Sequence, residues 1–157
     1  MSLSQSPVTG GQPILEARSL FKHYPKVRAV QGVSLAVARG SCFGLLGPNG
    51  AGKSTTVEML EGVLAPTRGE ILFKGAPIAE SRSQYRERVG IQFQSTALQE
   101  FLTVRENLRF FSALYPQKRP LDELIAVCRL EEFLDRDTKK LSGGQRQRVV
   151  LAIALVN

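Results

Sequence analysis

The sequence predicts an α/β fold with a helical subdomain set into it, on three observations. Ser41-Cys42-Phe43-Gly44-Leu45-Leu46 is a short, almost wholly apolar run that ends in glycines, the pattern of a parallel strand buried on both faces. It leads straight into a glycine-rich loop and then into Lys53 to Glu61, a proline-free stretch whose Val57, Leu60 and later Leu64 fall on one helical face. From Thr103 onward the apolar residues recur at helical rather than strand spacing.

The remaining elements follow in order. Met1 to Pro13 is rich in Ser, Gly, Gln and Pro and lacks a basic start and an apolar block, so it reads as a flexible leader and not as a signal peptide. Ile14 to Ala17 and Gly32 to Val37 carry short apolar alternations expected to open a sheet. Glu70-Ile71-Leu72-Phe73 is a further strand, and Val89 to Phe93 another, with Gln94 at its end. Thr103-Val104-Arg105-Glu106 is a capping box, followed by Val104, Leu108, Phe111 and Tyr115 on one helical stripe until Pro116. After Pro120 the stripe resumes at Leu121, Leu124, Ile125 and Cys128. The chain thus divides into a leader over 1–13, an α/β core over 14–94, a helical subdomain over 95–141 and a last helix over 142–157.

Composition sets the limits. A chain of 157 residues typically buries roughly two-thirds of its unfolded surface. Apolar residues at 43% and charged residues at 22% exclude disordered and low-complexity classes. Lys plus Arg number 21 against 14 Asp plus Glu, a formal charge of +7 that favours polyanionic partners without choosing among them. Cys42 and Cys128 stand far apart in apolar contexts and read as buried, reduced thiols of a cytosolic protein. The longest apolar run, Val149 to Val156, falls far short of the ~20 residues that cross a bilayer.

Gly47-Pro48-Asn49-Gly50-Ala51-Gly52-Lys53-Ser54, with Thr55 behind it, matches G-x-x-x-x-G-K-[ST] after a strand and at the start of a helix. A polyphosphate needs several N–H donors aimed at one spot, and residues without a Cβ let the backbone wrap that tightly. The helix that follows directs its positive end at the phosphates. Lys53 can reach the β- and γ-phosphates, where a close ion pair is worth about 4 kcal/mol at an effective dielectric near 20. The Ser54 hydroxyl can coordinate Mg²⁺. Four fixed positions arise by chance in roughly one chain of this length in a few hundred, before the strand and helix are counted.

A second glycine motif lies at Ser142-Gly143-Gly144-Gln145, where Ser142 caps a helix and Gln145 reaches back. Glycine costs about 1 kcal/mol relative to alanine inside a helix, so two in the first turn imply that something approaches the backbone closely. Leu141-Ser142-Gly143-Gly144-Gln145, followed by Arg146-Gln147-Arg148, resembles the signature of the ATP-binding-cassette (ABC) ATPases, and the phosphate loop precedes it as in that family. The resemblance runs from Leu15 onward. It implies a P-loop NTPase (RecA-like) core with an antiparallel β segment and an inserted α-helical signature subdomain. Around Ala97 to Tyr115 the wording is most similar to ATP subunits of ABC-2-type exporters.

The resemblance also implies roles. Tyr24 matches the aromatic that stacks on adenine, although by itself it also fits an ordinary surface aromatic beside a solvated His23. Gln94 matches the glutamine that holds Mg²⁺ and the attacking water, although a strand end needs no further role. Lys53 and Gln94 would be the catalytic side chains. Ser142, Gly143, Gly144 and Gln145 would meet the γ-phosphate of ATP held by an opposing subunit, so ATP joins two subunits head to tail. The implied setting is the inner face of a cell membrane, against a transmembrane permease subunit. Arg82, Arg86, Arg88, Lys139 and Lys140 read as solvated faces, with no aromatic platform or recognition helix for nucleic acid.

In that family an apolar strand ending in Asp-Glu and a later switch histidine follow the signature. This sequence holds neither, and its single histidine is His23. The expectation is a fold truncated before that strand, with Ser41 to Leu46 left uncovered and with no ATP turnover by these residues alone. A non-transport ABC ATPase acting in DNA repair or on ribosomes, and a nucleotide-binding module without hydrolysis, remain the alternatives to an exporter subunit.

Overall fold

The computed structural model describes residues 12–92 and 98–157. The chain divides between Arg86 and Glu87 into two compact units. In the first, strands β1 (Leu15–Tyr24) and β2 (Val27–Val37) form an antiparallel hairpin whose register runs from Leu15 opposite Val37 to Tyr24 opposite Val27. Helix α1 (Lys53–Leu60) follows, then β3 (Arg68–Phe73), β4 (Ala76–Pro77) and the short helix α2 (Arg82–Arg86). The sheet has four strands in the order β2-β1-β3-β4, with every pairing antiparallel. Ala17, Leu20, Val30, Leu35, Ile71 and Leu72 are buried on it.

Both hairpin strands run well beyond the alternations that announced them. Register shifts between Ala17 and Leu20 and again beyond Leu20 break the two-residue period, so residues 18–24 of β1 and 27–31 of β2 do not read as strand although they belong to the hairpin. In α1 the buried residues are Thr56 and Met59, whereas Val57 is exposed. The expected Val57, Leu60 and Leu64 stripe is therefore not the face that packs against the hairpin. Tyr85 on α2 is buried, with its hydroxyl donating to the Leu60 carbonyl. Burial, and after it the Glu61 carboxylate, push that hydroxyl up to about 12, so it remains a donor at ordinary pH.

Two expected strands are not formed. Ser41 to Leu46 has no ladder partner among the described residues, and Leu46 is 84% exposed. A parallel strand buried on both faces requires neighbours on each side, and none is present here. The same exposure corrects the reading of Cys42, which is exposed while Cys128 is buried; both thiols are free. Val89 to Gln92 is likewise unpaired, and Phe93 lies outside the described residues.

The second unit is helical: α3 (Val104–Ser112), α4 (Leu121–Cys128), two single 3-10 turns at Glu131–Phe133 and Thr138–Lys140, and α5 (Gly143–Ala154). Leu98, Val104, Leu108, Cys128, Leu130 and Phe133 share one core with Val149, Val150 and Ala152 of α5. Both capping boxes form as the sequence predicts, Thr103 with Glu106 and Ser142 with Gln145. Helix α3 stops at Ser112 and not at Pro116, and its last turn tightens through Leu114 N–H to Phe111 O and Tyr115 N–H to Ser112 O.

A buried amide fixes the entry to this unit. Asn107, fully buried, donates through Nδ2 to the carbonyls of Gln99, Leu102 and Thr103 and accepts from Gln99 N–H at 3.0 Å. Thr138 adds a bond from Oγ1 to the same Gln99 carbonyl at 2.9 Å. Removing the amide strands several buried polar groups at once. Asn107→Ala is expected to lower stability by about 2 kcal/mol or more, read from urea denaturation followed by circular dichroism; a loss below ~0.5 kcal/mol, the size of an ordinary surface substitution, would contradict the role assigned to the amide.

Candidate functional site

The first candidate site is built on the turn at residues 47–52. Gly50 and Gly52 both take left-handed backbone angles, φ 81° in each, which L side chains rarely adopt. Around Gly50 a Cβ would meet open space, but at Gly52 it would overlap the backbone carbonyl oxygen of Ala29 on β2. That contact seats the loop and the start of α1 directly on the hairpin. Ala51 N–H donates to Pro48 O at 3.3 Å, which closes the turn through Asn49.

Helix α1 begins without a side-chain cap, since Gly52 has no side chain to offer. The first intrahelical bond is Thr56 N–H to Gly52 O at 2.9 Å, which leaves the N–H groups of Lys53, Ser54 and Thr55 without an acceptor in the helix. The Lys53 ammonium turns back over the loop and donates to Gly47 O at 2.7 Å and Pro48 O at 2.8 Å. Thr56 spends its hydroxyl on Gly52 O at 2.9 Å. Ser54, exposed, has no hydrogen-bond partner among the described residues. Loop amides, helix dipole and ammonium therefore concentrate positive potential where one hydroxyl is uncommitted.

Beside the loop lies an open cleft of about 660 Å³ lined by Arg28, Ala29 and Val30 of β2 and by Pro48, Gly50 and Ala51. Tyr24 does not line this cleft, but the hairpin register puts it opposite Val27 and puts His23 opposite Arg28, at the end of the same strand pair. The Tyr24 ring is 45% exposed, and Lys22 Nζ lies 5.4 Å from its centroid. Sequence reading singled out Tyr24 and passed over Lys22. The available signal was their i, i+2 spacing, which puts both on one face of a strand. His23 packs edge-on against Phe21 at 6.0 Å.

The second candidate site is the start of α5. Ser142 N–H donates to Gln145 Oε1 at 3.0 Å, and Gln145 N–H donates to Ser142 Oγ at 3.3 Å. A Cβ on Gly143 or Gly144 would meet nothing within 4 Å. Neither glycine has a positive φ. Among the described residues, neither close packing nor backbone angle requires a glycine at either position. Gln92 is tied to this helix by Nε2 donating to Gln147 Oε1 at 2.7 Å. Gln94 lies outside the described residues. Among the described residues no group of three or more His, Cys, Asp or Glu side chains could hold a metal ion.

Comparison with known proteins places these motifs in a common frame. A family model described as "ABC transporter" matches residues 30–157. The chain is 39% identical over 154 residues to the probable multidrug ABC transporter ATP-binding protein YbhF of Escherichia coli (strain K12), covering 95% of this chain and 27% of that protein. It is 44% identical over 148 residues to the Nod factor export ATP-binding protein I of Paraburkholderia xenovorans, covering 91% of this chain and 49% of that one. The chain thus spans between about a quarter and a half of the length of these relatives. Among solved structures, cbiO1 from Clostridium perfringens, part of the ABC transporter complex cbiONQ, superposes with a TM-score of 0.81 at 31% identity, covering 92% of this chain and 62% of that one. The dimeric bacterial ABC transporter cassette MJ0796 gives 0.75 at 26% identity, covering 90% and 68%.

The two glycine motifs call for opposite responses to alanine. Gly52→Ala forces a side chain into the Ala29 carbonyl at a left-handed position and is expected to lower the unfolding temperature by several degrees. The double variant Gly143→Ala, Gly144→Ala is expected to leave it unchanged or raise it, because each alanine gains about 1 kcal/mol of helix propensity with no clash. Thermal unfolding of the two variants beside the parent chain checks this, and a destabilised Gly143, Gly144 variant would show that those glycines serve the fold.

Proposed function

The chain belongs to the ABC transporter family, and from that membership we propose that it forms the nucleotide-binding part of a subunit that uses ATP to drive export of a substrate across a membrane. Its fold is that of the P-loop ATPase cassettes, with the antiparallel sheet and the helical unit both present. The observation that carries the proposal is the loop at residues 47–55, where three acceptor-free helix N–H groups and the Lys53 ammonium meet beside an open cleft.

The residues divide the work by chemistry. Amides from Gly50 to Thr55 bind phosphate oxygens, and Lys53 exchanges the carbonyls of Gly47 and Pro48 for the β- and γ-phosphates. Ser54 fits Mg²⁺ because its hydroxyl is uncommitted and because Mg²⁺ takes few protein ligands beside substrate phosphates. When bound, Mg²⁺ supplies charge neutralisation on those phosphates. Tyr24 offers its open face to adenine. Gln94, by its family position, orients the attacking water. The Ser142 to Gln145 helix end meets the γ-phosphate of ATP on a second ATP-binding subunit, a role that fits two glycines that no contact among the described residues requires. The second subunit and a transmembrane permease subunit are the partners of this reading, at the inner face of a membrane. No helix of the described residues is long and apolar enough to cross a membrane.

Binding of Mg²⁺–ATP to the chain, measured by isothermal titration, is expected to weaken at least tenfold in Lys53→Ala, since a close ion pair is lost. Tyr24→Ala is expected to weaken ATP more than Mg²⁺–tripolyphosphate, which has no base. Because the sequence carries no aliphatic run ending in Asp-Glu, phosphate release by the purified chain is expected not to exceed that of Lys53→Ala; robust Lys53-dependent turnover would overturn that part of the reading.

A further inference from the structure

Tyr24 has two ring faces, and one of them is already taken. Lys22, two residues earlier on β1, places its Nζ 5.4 Å from the ring centroid and donates to the Ala65 carbonyl at 2.8 Å. Ala65 belongs to the segment that leaves α1, and that segment is itself fastened to β1. Thr67 N–H donates to Phe21 O at 2.8 Å, and His23 N–H donates to Thr67 Oγ1 at 3.1 Å. The ammonium is thus held by a backbone that cannot drift, within the distance at which a cation is attracted to an aromatic ring. An exposed aromatic side chain otherwise samples several orientations, and a ligand that stacks on it must immobilise it.

We propose that Lys22 is a positioning residue for the base of a bound nucleotide: it covers one face of Tyr24, holds the ring still, and leaves the opposite face as the single stacking surface. This rests on the reading that Tyr24 stacks on adenine and adds to it the group that prepares the ring. Lys22 touches no phosphate in this account. Its contribution therefore appears in the preference for a nucleotide over a bare triphosphate and vanishes when the ring is absent. It also joins the ring to the exit of α1, the helix whose opposite end forms the phosphate loop.

The test is a double-mutant cycle on the whole chain with two probes, Mg²⁺–ATP and Mg²⁺–tripolyphosphate, titrated calorimetrically. Lys22→Met keeps the aliphatic stem and removes the charge. It is expected to weaken ATP about threefold, the range of an exposed cation–ring contact, and to leave tripolyphosphate unchanged. Lys22→Arg is expected to restore the parent affinity. In a Tyr24→Ala background, Lys22→Met is expected to have no further effect. Equal loss for both probes would make Lys22 a simple attractor of anions and overturn the proposal, as would an undiminished loss in the Tyr24→Ala background or no loss for ATP at all. If Tyr24→Ala alone leaves the ratio of the two affinities unchanged, adenine stacking itself fails, and the positioning role falls with it.

Discussion

Everything in the first unit hangs on one close approach, that of Gly52 to the carbonyl of Ala29. A side chain at position 52 would overlap that carbonyl, so the absence of a Cβ is what lets the loop and a β-strand border one cleft. The left-handed angle at the same residue turns the chain from loop to helix. It also means that the helix starts uncapped, with its first amides free. Glycine at this one position therefore sets the packing and the chain direction together.

The four helices of eight or more residues among the described residues begin in contrasting ways. Helices α3 and α5 start with complete capping boxes, whereas α1 and α4 start with no side-chain cap. A capped helix end satisfies its donors internally, and an uncapped one must find them a partner elsewhere. In α5 the cap satisfies Gln145 N–H and leaves the two glycines before it bare and open. The first unit thus presents helix N–H groups without an intrahelical acceptor beside a cleft, and the second presents glycine backbone at a helix tip. The buried Asn107 amide gives the second unit its own rigidity, because it pins the segment from Gln99 to Thr103 to α3.

The motifs were legible because each is a local rule. Four fixed positions spell the G-x-x-x-x-G-K-[ST] pattern, and Thr103-x-x-Glu106 and Ser142-x-x-Gln145 spell two caps that form as read. The strands were harder. Bulges along β1 hid the length of the hairpin, and the apolar run at Ser41 to Leu46 carries a buried strand's composition without the neighbours that would make it one. Composition records the environment a segment was selected for, whereas pairing depends on residues far away. Lys22 escaped notice for the same reason: its partner carbonyl at Ala65 is 43 residues distant, and no local pattern connects them.

The central claim is that the backbone from Gly50 to Thr55 is the phosphate receptor of this chain. The most direct measurement is the backbone amide spectrum of the ¹⁵N-labelled protein, titrated with Mg²⁺–ATP. The account predicts large, saturable shifts at Gly50, Gly52, Lys53, Ser54 and Thr55, with the Ser142 to Gln145 amides responding only when a second subunit joins. A saturating titration that leaves the 50–55 amides unmoved while others shift would contradict it.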